Sequence, residues 1–296
     1  MKPYIPRSFQ LAIRKQVAIC KKSIYSKVWP INESTGKPPM KWAGWPDGKT
    51  FAFILTHDID TAKGHDKCRD LISLEKKMGF LSSYNFVPRK YNVSSELRKH
   101  VAGNGFEVGV HGLYHDGNYY NSREEFMKRA ALINRYLKDW EAVGFRTPSM
   151  HHNLDWIGEL NILYDSSRFD TDPFEPYPDG IGTIFPFWVP SGKESKGYVE
   201  LPYTLPQDFT LFVLFQEKNI NIWKDKLDWI VQRGGMALLN THPDYMSFNK
   251  HKIGREEYYF EYYQELLDYV KTKYSKQYYN VLPRELAKYY LTRYVA

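Results

Sequence analysis

From Phe51 onward the chain alternates short apolar runs with stretches of helical periodicity, and no other feature narrows its possible folds as far. The runs 51–56 (FAFILT), 82–87 (SSYNFV), 107–110 (EVGV), 143–145 (VGF), 162–164 (ILY), 198–201 (YVEL) and 236–240 (MALLN) read as buried strands. Between them, 67–78 and 95–102 carry helical spacing. Residues 122–140 do so most clearly: Ser122 and Glu125 are spaced as a capping box, and Phe126, Ala130, Ile133, Leu137 and Trp140 share one stripe. A helix over 224–233 is expected to stop at Gly234, and 255–273 again reads as helical. Strands that alternate with helices imply a mostly parallel sheet, closed or doubly wound. A chain of 296 residues then fits one large α/β domain over 49–296 with an appendage over 1–48.

The appendage contains Ile13, Val17, Cys20, Ile24 and Val28 at helical spacing, with Arg14, Lys15, Lys21, Lys22 and Lys27 between them. This is a basic amphipathic helix over 8–28. It is either a latch packed on the barrel or a helix resting on an anionic membrane surface. No catalytic candidate precedes Phe51, so the helix is expected to be dispensable for chemistry. A Pro-, Gly- and Trp-rich connector follows over 29–48. The net charge of +7 is spread along the chain, which argues against nucleic acid as a partner. The two cysteines, Cys20 and Cys68, form neither a disulfide framework nor a cysteine zinc site. No run approaches the roughly 20 apolar residues of a membrane span, and none resembles a signal peptide. A cytoplasmic protein is expected, with peripheral contact at the inner face of the membrane through residues 8–28.

Polar residues cluster where the apolar runs end. Asp58 and Asp60 follow the first run, His111 the third, Arg146 the fourth, Asp165 the fifth and His242 the last. In a parallel barrel these ends converge on one face, where active sites are built. His111 and His115, four residues apart, can reach one metal ion, and with one carboxylate they leave coordination positions for water and substrate. Asp58 and Asp60 then divide two tasks: one binds the metal and the other accepts a proton from water. An Asx turn or a helix cap is the competing use for either. Arg146 beside Asp58 would hold that carboxylate ionised, unless it is a surface residue before a turn. His242 is the candidate general acid, although a lone histidine there is more often structural. Asp170, Asp172, His151 and His152 are secondary candidates for the pocket wall.

Thr56-His57-Asp58-Ile59-Asp60, His111-Gly112-Leu113-Tyr114-His115, Arg146-Thr147-Pro148, a looser segment 165–176 and Leu239-Asn240-Thr241-His242-Pro243 occur in this order. Together they resemble the motifs of the NodB-type polysaccharide deacetylases, most closely the T-H-D-x-[DE] branch associated with capsule and O-antigen biosynthesis. The resemblance spans about Phe51 to Asp244. It implies a distorted (β/α)7-8 barrel related to the TIM barrel, with an N-terminal helical extension. It also implies a divalent metal, zinc above all, on Asp60, His111 and His115. Asp58 would be the base and His242 the acid, and the substrate an N-acylated sugar that is nucleotide-linked, lipid-linked or part of an oligosaccharide. The reaction implied is removal of an acetyl or formyl group. The alternative is a catalytically inactive sugar-binding or inner-membrane scaffold protein that keeps the barrel. Two positions depart from the motifs. Ile59 separates the acidic pair, and Gly112 replaces a Ser or Thr whose hydroxyl could support the metal ligands.

Overall fold

A computed structural model describes residues 6–192, 196–249 and 253–295. The elements run α1 (Arg7–Ile24), β1 (Phe51–Ile59), α2 (Ala62–Met78), β2 (Ser82–Phe86), α3 (Ser95–Gly103), β3 (Glu107–His111), α4 (Arg123–Asp139), β4 (Gly144–Arg146) and α5 (Leu154–Ile157). They continue as β5 (Tyr164–Asp165), β6 (Phe187–Pro190), β7 (Gly197–Glu200), a π-helical turn (Phe209–Leu214), α6 (Asn221–Arg233) and β8 (Met236–Thr241). The chain closes with β9 (Met246–Ser247), β10 (Tyr258–Tyr259), α7 (Glu261–Lys273), β11 (Tyr278–Tyr279) and α8 (Pro283–Tyr294).

The sheet order is β11-β1-β2-β3-β4-β5-β7-β6, with β8 on the other side of β1. Every pairing in it is parallel except β6 with β7. Beyond β7 the chain meets β8 through the isolated bridge Leu205–Leu239 and the segment after β5 through Phe169–Tyr203, with no full strand pairing between β7 and β8 among the described residues. The sheet therefore curls into a distorted (β/α) barrel, with helices packed around it. β1 can sit at its centre because all nine of its residues are buried and its first half is aromatic or aliphatic, as a strand flanked on both faces requires.

Local signals fix most helix ends. Thr61, Ser94 and Ser122 accept backbone N–H bonds at the starts of α2, α3 and α4, and Gly79 and Gly234 end α2 and α6 in the left-handed region at φ 80° and 66°. The capping box of α4 is half formed. Ser122 accepts from the Glu125 N–H, but the Glu125 carboxylate turns away to Arg129 Nε at 2.7 Å. The helix expected over 255–273 starts only at Glu261, since Tyr258–Tyr259 pairs instead with Met246–Ser247.

The N-terminal helix packs on the barrel with a face other than the expected stripe. Leu11 (3% exposed) and Ala18 (4%) bury against Phe209, Val213 and Leu214 of the π-helical turn, while Ile13 (47%), Val17 (50%) and Ile24 (73%) face outward. Polar contacts choose the face: Lys21 Nζ donates to the Pro173 carbonyl at 2.8 Å, and Lys22 Nζ meets Glu217 at 2.6 Å while lying over the Phe215 ring. No helix among the described residues is long and apolar enough to cross a membrane. The two faces predict opposite outcomes for one change of chemistry. Leu11→Asp buries a charge and should free α1 to limited proteolysis with a lowered melting temperature, whereas Ile13→Asp should leave both measurements unchanged.

Candidate active site

Strand alternation sets up the site. Along β1, Thr56 and Asp58 point into the barrel, whereas His57 points out toward α2. His57 spans two elements, its Nε2 at 2.9 Å from Glu75 of α2 and its Nδ1 at 2.7 Å from the Thr241 hydroxyl of β8. Glu75 is fully buried and also accepts bonds from Ser82, Tyr84 and Tyr263. Burial alone would raise its pKa, but His57 and these donors outweigh it and lower it. This network pins β1 to α2 and to β8, which ends just before His242.

Inside the barrel, Arg146 is fully buried at the end of β4. Its Nη1 donates to Thr56 Oγ1 (2.9 Å), Asp58 Oδ1 (3.2 Å) and Asn240 Oδ1 (2.5 Å), and its Nε and Nη2 donate to the Ser166 carbonyl and hydroxyl (both 2.7 Å). Asp58 further accepts from Asn85 Nδ2 at 3.0 Å and from Asn240 Nδ2 at 2.9 Å. Burial would push the Asp58 carboxyl up. The positive field of Arg146, with help from His111 and His242, instead holds it at about 2.

Asp60, His111 and His115 place one ligand atom each within 4.8 Å of one another. His115 Nε2 lies 3.0 Å and His111 Nε2 3.4 Å from Asp60 Oδ1. That oxygen is buried and makes no well-aligned hydrogen bond, which is what a carboxylate facing an ion rather than a proton would show. His111 Nδ1 sits 3.1 Å from the Arg146 carbonyl, a partner that calls for N–H on Nδ1 and leaves the Nε2 lone pair for the cluster. The residues thus fit a divalent ion. The Gly112 departure also has a steric cause: at φ 61° a Cβ would lie 2.5 Å from both the Pro148 ring and the Tyr119 hydroxyl. The Tyr119 hydroxyl accepts the backbone N–H groups of Leu113 and Tyr114, which tethers the segment between the two histidines.

Across the cavity, His242 Nδ1 lies 2.7 Å from Asp208 Oδ1, and the other Asp208 oxygen accepts the His242 backbone N–H and the Tyr258 hydroxyl. Burial would lower the imidazole pKa, but Asp208, Asp60 and Asp58 carry it up to about 10. Asp244 accepts the Asp60 N–H at 2.9 Å and the Thr61 hydroxyl, so the segment after β8 anchors the segment after β1.

Asp58, Asp60, His111, His115 and His242 all line one cavity of about 660 Å³, with Arg146 directly behind Asp58. Neither Asp165 nor the secondary candidates Asp170, Asp172, His151 and His152 line it. Asp165 is consumed by the Ser167 hydroxyl and N–H beside Glu200, whose carboxyl is pushed well up by burial and by Asp165. Asp170 pairs with buried Lys226 at 2.7 Å, and Asp172 accepts the Tyr203 hydroxyl. His151 stacks on Tyr177, and His152 bridges the Met150 carbonyl and Asp179. Glu175, Gln207, Phe209 and Tyr245 take those places on the wall, with Ser149 and Met150 in a turn at φ 57° and 51°. Arg14 of α1 also lines the cavity, so the N-terminal helix is part of the site rather than apart from it. Neither Asp208 nor Arg14 belongs to a recognisable motif. The only sequence signal for Asp208 was an acidic residue before an apolar run.

No protein-family model and no curated protein matches the chain. Solved structures do. A polysaccharide deacetylase from Mycobacterium smegmatis aligns at 18% identity and TM-score 0.62 over 86% of this chain and 94% of its own. Puue allantoinase aligns at 14% and 0.61 over 90% and 98%, and a polysaccharide deacetylase from Pseudomonas aeruginosa PAO1 at 14% and 0.58 over 84% and 94%. At such identities the likeness is one of architecture, and it agrees with the curled sheet and its strand order: the chain has the NodB-like barrel fold of the polysaccharide deacetylases.

Proposed function

We propose that the protein is a metal-dependent hydrolase that removes an acetyl or formyl group from the nitrogen of a sugar used in capsule or O-antigen biosynthesis. One observation carries this reading. A carboxylate held ionised by a buried arginine and an imidazole held protonated by a buried aspartate face the same cavity, on either side of an Asp-His-His cluster. Two titratable groups driven to opposite charge states are what a base and an acid in one reaction require.

Asp60, His111 and His115 would hold the ion, and two imidazoles with one carboxylate suit zinc. When bound, the ion supplies Lewis acidity and an acidified water. Asp58 takes a proton from the attacking water as a C–O bond forms at the acyl carbon. Arg146, Asn85 and Asn240 keep its acceptor oxygens aimed and charged. The C–N bond breaks as His242 delivers its proton to the sugar nitrogen, releasing acetate or formate and an amino sugar. Asp208 holds the ring in register through Nδ1, which leaves Nε2 for the transfer. The fold alone does not choose a sugar, because an allantoinase shares it. The ordered T-H-D-x-D, H-x3-H, R-x-P and L-x-x-H-P segments favour one, as do Phe209 and Tyr245 on the wall, whose faces suit a pyranose ring. An inactive sugar-binding or scaffold protein is disfavoured, since side chains suited to both roles face the cavity with their charge-setting partners behind them. Release of acetate or formate from a panel of N-acylated sugars tests the activity. The outward stripe of α1, flanked by lysines, supports peripheral contact with an anionic membrane. Flotation with anionic vesicles that survives Ile13→Asp together with Val17→Asp would refute that contact.

Elemental analysis should find one divalent ion per chain, lost on His111→Ala or His115→Ala because each removes one of only three protein ligands. The two aspartates should separate. Asp58→Asn is expected to retain the ion and slow turnover by roughly 10²–10⁴-fold, whereas Asp60→Asn should weaken the ion's binding itself. His242→Ala should likewise retain the ion. The pH profile follows from the shift of His242. As an acid it works while protonated, so activity is present below its pKa and falls as pH rises through it. Asp208→Asn removes the largest upward influence and should move this alkaline limb toward neutrality by roughly one pH unit or more, with the metal content unchanged.

A further inference from the structure

The charge of the cavity reverses from floor to mouth. Its deepest acids are already engaged: Asp58 by Arg146, Asp60 by the two histidines, and Asp244 by the Asp60 N–H and Thr61. Glu175 on the wall accepts bonds from Tyr203 and Gln207, and burial together with Asp172 pushes its carboxyl up to about 8, so it carries little charge near neutral pH. The outer wall instead presents Arg14 from α1, Lys63 from α2, Lys90 from the turn after β2 and Arg255 from the loop before β10. All four are exposed. Lys63 shares Glu257 with Lys67, and Arg14 stacks over Phe209 with 4.8 Å to the ring centroid. Lys90 and Arg255 form no ion pair among the described residues, and Glu256, next to Arg255 in sequence, also lines the cavity. Four elements distant in sequence thus bring basic side chains to one cavity.

We propose that the sugar substrate carries a phosphate or diphosphate, held at the cavity mouth by Arg14, Lys63, Lys90 and Arg255 while the acylamino group reaches the floor. The proposal rests on the deacylase reading and narrows its substrate class. Cations converging from several directions suit the many oxygens of a diphosphate better than a single carboxylate, and guanidinium groups can grip such oxygens in pairs. A cavity of about 660 Å³ has room for a sugar and a further group. The diphosphate chemistry is shared by a nucleotide-linked and a lipid-linked sugar. It also gives α1 a role in binding, since Arg14 reaches the mouth only because Leu11 and Ala18 dock the helix on the π-helical turn.

Calorimetric titration of inorganic pyrophosphate into the full-length, metal-loaded protein tests the site. Wild type should bind, more weakly as salt rises. Arg14→Ala with Lys90→Ala and Arg255→Ala should weaken binding by at least about tenfold, and Lys138→Ala, an exposed control on α4, should change nothing. Circular dichroism confirms that the triple variant is folded, and Arg255→Ala alone should show a smaller loss in the same direction. Equal affinity in wild type and triple variant, as expected if pyrophosphate only met the metal, overturns the proposal, as does an equal loss in Lys138→Ala. Turnover then separates the two readings. UDP-N-acetylglucosamine, a short prenyl diphosphate N-acetylglucosamine in detergent and neutral methyl N-acetylglucosaminide are compared by kcat/KM. A diphosphate advantage that disappears in the triple variant supports the mouth site, and the faster carrier identifies the source. Turnover of the neutral glycoside at equal efficiency, unaffected by the triple variant, removes the mouth site and leaves the deacylase reading intact. Rim-dependent pyrophosphate binding with no sugar hydrolysed leaves the anion site and removes the deacylase reading.

Discussion

The buried pair of Arg146 and Asp58 is the constraint on which the rest of the site depends. A guanidinium with no solvent access is tolerable only if its donors are satisfied, and here they reach Thr56 and Asp58 of β1, Asn240 of β8 and both oxygens of Ser166 after β5. One side chain from β4 therefore ties together the strands whose ends form the cavity floor. Removing either member would leave the other as an uncompensated charge in the centre of the barrel. The backbone carbonyl of the same arginine faces His111 Nδ1, so the residue that fixes the carboxylate also selects the imidazole tautomer facing the Asp60 cluster.

Two aspartate-centred pairs create the electrostatic asymmetry of the cavity. Asp58 is surrounded by donors and a cation and stays charged down to about 2, while His242 has a carboxylate against its Nδ1 and holds a proton up to about 10. Burial opposes both shifts, and in both cases a directed partner at hydrogen-bond distance overcomes it. The outer supports follow the same logic: His57 is clamped between Glu75 and Thr241, and Asp208 between the His242 ring, its own backbone and Tyr258. These groups stand behind the side chains that line the cavity.

The N-terminal helix shows why periodicity does not identify a contact. Its strongest apolar stripe faces solvent, and the narrower pair Leu11 and Ala18 makes the joint, because Phe209, Val213 and Leu214 of the π-helical turn receive that pair while Lys21 and Lys22 reach oxygens of Pro173 and Glu217. That orientation is what carries Arg14 to the cavity.

The sequence by itself determined the parallel α/β class and the strands that bear the site. It also set the convergence of Asp58, Asp60, His111, His115, Arg146 and His242, because strand alternation and the positions of polar residues at strand ends are local properties with one geometric consequence in a barrel. It could not determine which other acids reach the cavity. Asp165, Asp170 and Asp172 look equivalent to Asp208 and Glu175 along the chain. Buried partners draw the first three into the framework, Ser167 and Glu200 for Asp165, Lys226 for Asp170 and Tyr203 for Asp172, whereas Asp208 backs His242 and Glu175 lines the cavity. The two-residue pairings β9–β10 and β1–β11 and the register of α1 were equally beyond reach, since each depends on a surface that exists only after the barrel has folded.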